Sequence, residues 1–253
     1  MEISITSLPL WVNLAFAVSF PVAPYLIGRA AKTGYLKAGA SNASAQQLQR
    51  AIWIFYGAYF LVVGGISLTG FFAENTLPPR ILIFTALPLL VFYFGYVLRS
   101  NWFQKVLTHI PLASMVFIHV FRFIGIFFLI SLMYDALPAT FAIAGGVGDI
   151  LAASLGLWVV YALNKQKTYA IRLTYIWNVI GVLDILNVLA TAVITTRLAL
   201  ATGGIGVAEF GTFPFCWIPA FAPATIIFLH VMVFKKLAMI RSLNQPISQL
   251  AQV

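Results

Sequence analysis

The chain has 253 residues, of which 62% are hydrophobic and 8% charged. A soluble globular domain carries about a quarter charged residues, so the composition is that of a membrane protein. The net charge of +9 does not imply a nucleic-acid partner, because the basic residues sit at the ends of apolar runs, where membrane orientation accounts for them.

Seven apolar segments follow one another at roughly 8–28, 51–73, 81–98, 111–134, 138–163, 173–196 and 216–235. All but the slightly short third reach the length of about 20 residues that spans a bilayer. They consume the chain, which is expected to be a single transmembrane domain with no room for an extramembrane one. Met1-Glu2-Ile3-Ser4 lacks the basic region of a cleavable signal, so the first segment is expected to remain as a helix. Pro21 and Pro24 should kink or break its inner half. Residues 29–50 read as a linker, with Asn42 or Ser44 as the cap of the second helix. Trp53, Tyr56, Tyr59, Tyr93 and Tyr96 read as interfacial aromatics. The stretch 101–109 (NWFQKVLTH) alternates apolar and polar residues as a short interfacial helix does, which leaves His109 on a wet surface.

Charge between the segments orients them. With the N-terminus outside, twelve of the fifteen Lys and Arg residues fall on the cytoplasmic side and only Arg80 and Arg197 fall outside. The expected architecture is therefore all-α: a polytopic membrane protein, a seven-transmembrane-helix bundle with the N-terminus outside and the C-terminus cytoplasmic. The plasma (inner) membrane is the expected location, with the lipid bilayer as partner and a homo-oligomer as a further option. The external loop 197–215, rich in glycine, should lie over the bundle mouth.

The fifteenth basic residue, Arg122, lies near the middle of the fourth segment. Asp149 and Asp184 lie near the middles of the fifth and sixth. A charge at the centre of a membrane helix costs about 2.5–3.5 kcal/mol on insertion scales. Three unpaired would cost roughly 8–10 kcal/mol, comparable with the whole stability of a fold. They are therefore expected to meet one another away from lipid. Each lies about eleven or twelve residues into its helix, which at about 1.5 Å per residue gives a common depth. One arginine and two carboxylates leave a net charge of −1, so the cluster should hold a further proton or cation. His119 stands three residues before Arg122 on the same face. Gly145, Asp149, Ala152 and Gly156 form a strip that admits a neighbouring helix. Asp184 shares a face with Gly181, Asn187, Thr191 and Thr195, whereas Asn178 points about 120° away.

The proton or ligand site is therefore read as Arg122, Asp149, Asp184, His119, His230 and Asn187. The leading expectation is movement of protons or of a small polar or anionic solute, with Arg122 as the anion or counter-ion site. An enzyme acting on a lipid or other hydrophobic substrate, with the aspartates as general acid and base, is the second reading. A haem b held by His119 and His230 is the third, and otherwise no cofactor is expected. No protein metal site is expected: Cys216 is the only cysteine, and neither histidine has a ligand partner at helical spacing. Seven helices with an external N-terminus invite comparison with retinal proteins and G-protein-coupled receptors. The last segment has no internal lysine for a Schiff base, however, and Leu98-Arg99-Ser100 is not the receptor signature.

Overall fold

Proline chemistry divides the first apolar segment. The computed structural model describes residues 5–243, beginning with α1 (Leu10–Ser19) and α2 (Val22–Lys37). Pro21 is the N-cap of α2 and Pro24 lies in its first turn, where a missing N–H forfeits no intrahelical bond. The expected linker is mostly helix. α2 continues to Lys37 and α3 starts at Asn42, because the Ala, Lys, Leu and Gln of this stretch are strong helix formers even where they are not apolar. The turn uses Gly39 at φ 85°. The cap of α3 is Ser41, one residue before the expected Asn42; its side chain accepts from the Ser44 N–H at 3.2 Å.

α4 (Leu82–Arg99) opens with a π-turn over Leu82–Ala86. α5 (Asn101–His109) has the expected bounds, with Val106 and Leu107 buried and His109 exposed. It packs on α2 at Gly34, where an added Cβ would stand 2.9 Å from Val106 Cγ1. Lys236 Nζ donates to the Leu107 carbonyl at 3.2 Å, a basic group at the helix C-terminus as the dipole favours. α6 (Leu112–Met133), α7 (Ala139–Asn164), α8 (Ala170–Thr202) and α9 (Trp217–Leu243) complete the chain. α8 runs past the expected 196 and is closed by Gly203 at φ 71°, whose N–H reaches Ala199 O at 2.9 Å.

Among the described residues, seven helical segments are long and apolar enough to cross a membrane: α1–α2 together, α3, α4, α6, α7, α8 and α9. The described residues are all-helical, with no strand. α6 and α9 occupy the centre, with 61% and 72% of their apolar windows buried against 28–39% for the others. The loop 203–216 does more than cover one end, because Phe210 and Phe215 plug into the bundle. Phe215 stacks on Phe16 at 4.3 Å between ring centroids. Glu209 holds the N-terminal segment by accepting from Ser7 N at 2.6 Å and Ser7 Oγ at 2.9 Å.

Candidate functional site

α6 is not a uniform α-helix. Between Ile118 and Ile126 it tightens into a seven-residue 3-10 run, His119–Gly125. In a 3-10 helix residues three apart eclipse one another, and runs beyond three or four residues are uncommon. His119, Arg122 and Gly125 therefore stand in one column facing α7. Gly125 sets the approach: a Cβ there would lie 2.6 Å from Asp149 Cβ and 2.9 Å from Gly146 O. The small strip of α7 works in both directions. Gly145 seats Phe128 of α6 and Gly156 seats Trp177 of α8, while Gly148 leaves the space that the Asp184 carboxylate occupies.

This close packing brings the three mid-helix charges together. Arg122, fully buried, donates from Nε to Asp149 Oδ1 at 2.7 Å and from Nη2 to Asp184 Oδ2. The guanidinium bridges two carboxylates with one bond to each and is not bidentate on either. With both acids ionised the cluster carries a charge of −1. Arg122 Nη1 is buried without a hydrogen-bond partner, so the site retains donor capacity as well as negative charge.

Asp149 also reaches the floor of a narrow cleft. Phe128, Phe141, Ile185, Phe210 and Ile218 form its apolar walls. Its mouth lies at the end of the bundle that carries the 69–81 and 203–216 loops, where exposed Glu74 pairs with Arg80 at 2.8 Å. On the other side of the cluster, one 3-10 turn away, His119 meets His230 with ring centroids 4.3 Å apart. Both rings are fully buried, and Trp177 borders each of them. The Asn178 amide fixes the His230 tautomer. Its Oδ1 only accepts, so His230 Nδ1, 2.7 Å away, carries the hydrogen, while Asn178 Nδ2 donates to the His230 carbonyl at 3.0 Å. His230 Nε2 and both nitrogens of His119 have no partner. Apart from Asn75 Oδ1, every buried unpaired side-chain polar atom among the described residues belongs to this site.

The rings do not fit a haem, whose plane has to lie between its two axial imidazoles. Rings in direct contact leave no such slot. No group of three or more His, Cys, Asp or Glu side chains able to hold a metal occurs among the described residues.

Two sequence readings change. Asn187 lies on the exposed side of α8, and its side chain takes no part in the cluster. The partner-forming amide is Asn178, fully buried against α9; its signal in the sequence was the cost of an unpaired amide in an apolar helix. Tyr56 and Tyr93 are not interfacial. They are buried and joined through their hydroxyls at 2.8 Å, and Tyr93 continues to Thr225 Oγ1 at 2.8 Å.

Residues 77–238 match the family described as Domain of unknown function (DUF8737). The match covers α4 to α9 almost completely, including every residue of the charge cluster and the histidine pair, and the chain belongs to that family. No curated protein and no solved structure matches it.

Proposed function

We propose that this DUF8737 protein moves protons, coupled to a small polar or anionic solute, across the plasma (inner) membrane, and that Arg122, Asp149 and Asp184 form the site where both are handled. One observation carries the reading: a buried guanidinium bridges two carboxylates whose charge it only half compensates, and one of those carboxylates floors an open cleft. Ionisable groups held inside a membrane are costly and are commonly functional. The distribution of Lys and Arg supports a reading with the cleft on the outside and the histidine pair on the cytoplasmic side of the cluster. A proton entering by the cleft passes Glu74 at the mouth and then meets Asp149. Its arrival removes the uncompensated negative charge and loosens the hold of Arg122 on that carboxylate, freeing the guanidinium for an anionic group. His119 and His230, with unpaired ring nitrogens, are the next acceptors inward. The 3-10 run that carries His119 and Arg122 is the segment placed to change its winding as the pairing changes.

The test is proton flux into liposomes loaded with a pH-sensitive dye. Asp149→Asn and Asp184→Asn should each remove flux while the purified protein stays monodisperse. Wild-type flux from both variants contradicts the proposal.

A further inference from the structure

A second cavity lies in the opposite part of the bundle and shares no lining residue with the cleft. It is enclosed by α2, α3, α4, α5, α6 and α9 at the end that carries most of the basic residues. Its lining combines aliphatic side chains with seven aromatic residues. Phe55 of α3 and Phe92 of α4 lie parallel at 5.0 Å, and Phe228 of α9 stacks on Tyr93 at 4.9 Å. Ala51 and Phe55 are exposed, so the cavity opens sideways along α3, towards the acyl chains of a surrounding bilayer.

Three hydroxyls meet at the inner wall of this cavity. Tyr56 Oη lies 2.8 Å from Tyr93 Oη, which lies 2.8 Å from Thr225 Oγ1, and all three residues are buried. Each hydroxyl brings one hydrogen, and the chain has two bonds. Whichever way the bonds run, one O–H of the three is left without an acceptor. Buried helical threonines usually donate to the carbonyl four residues back. Thr174 and Thr196 do so, at 2.8 Å each, whereas Thr225 is engaged with Tyr93 instead. All three residues line the cavity. An unsatisfied donor in apolar surroundings favours a ligand that supplies an acceptor there.

We infer that this cavity binds a membrane-borne quinone-class molecule, a planar ring carrying a carbonyl oxygen and an apolar tail. The ring matches the aromatic walls, the carbonyl accepts the surplus O–H, and the tail leaves through the lateral opening beside α3. An acyl chain satisfies the apolar lining but offers the hydroxyl chain nothing. The inference does not rest on the charge cluster, and the flux experiment above does not bear on it.

Binding of decylubiquinone to the purified full-length protein in nanodiscs tests it, with decylbenzene as a probe that keeps ring and tail but lacks the carbonyl. After correction for partition into the lipid, decylubiquinone should bind at least about tenfold more tightly than decylbenzene. The triple variant Tyr56→Phe, Tyr93→Phe, Thr225→Val keeps the cavity shape and removes every hydroxyl, and should abolish that preference. Equal binding of the two probes by the wild-type protein overturns the inference. An unchanged preference in the folded triple variant overturns it as well. The wild-type comparison decides the question if the variant does not fold.

Discussion

The bundle contains two polar clusters that meet burial in different ways. The one between α6, α7 and α8 is built of charges, and the one between α3, α4 and α9 of neutral hydroxyls. In the first, Arg122 cannot leave its place without stranding two carboxylates, so packing and electrostatics depend on a single side chain. In the second, Tyr93 joins both its neighbours through bonds of ordinary length, and loss of Tyr56 or Thr225 removes only one of the two. The glycines follow the same division. Gly125, Gly145, Gly146 and Gly148 are all pressed against neighbours in the charged region, while Gly57 and Gly95, on the two helices that bring the tyrosines together, meet nothing within 4 Å. Close helix approach has been used where an ion pair had to be sealed from lipid, and not where neutral groups suffice.

The largest effect that separates the two regions is expected at the guanidinium. Arg122→Leu leaves two buried acids without a cation and should cost about 3–5 kcal/mol, read as loss of the folded species in detergent size exclusion. Tyr56→Phe in the other cluster removes one of its two bonds and should cost about 1 kcal/mol, read as a small fall in the thermal midpoint. Next comes Gly125→Ala, because its Cβ would meet Asp149 Cβ and the Gly146 backbone, neither of which yields without moving α7. Overpacking of this kind costs about 1–3 kcal/mol. Gly148→Ala presses instead on the free end of the Asp184 side chain. It should cost about 1–3 kcal/mol and reduce liposome flux, because it displaces that carboxylate from Arg122. The smallest effect belongs to Asn187→Ala, whose exposed side chain should be dispensable for both stability and flux. A strong flux defect in Asn187→Ala would contradict the placement of the site.

The charge cluster was legible in the sequence because insertion energetics leave a mid-helix arginine and two mid-helix aspartates few alternatives to one another. Helix count followed from apolar length in the same way. Hydropathy has no means of marking where an amphipathic helix continues beyond the lipid-length part, which is why α2 runs to Lys37. The 3-10 run of α6 was not legible either, since it follows from tight packing on α7 and not from local propensity. On an ideal helix Asn187 lies three residues from Asp184, which suggests a shared face. Residues three apart still differ by about 60° in direction, and on a helix packed along one narrow strip that angle separates the interior from the outside. Tyr56 and Tyr93 looked interfacial because both lie near the inner ends of their segments. Only the meeting of α3 and α4 on α9 makes them partners.

The account depends most on whether the bridged carboxylates take up a proton while the protein remains folded. Difference infrared spectroscopy of the reconstituted protein over a pH titration reads this directly through the carbonyl band of a protonated carboxyl group. The account predicts a titrating band that is lost or shifted in Asp149→Asn or Asp184→Asn and unaltered in Asn187→Ala. Absence of any protonated-carboxyl band that responds to these two substitutions, at every pH where the protein is folded, would contradict it.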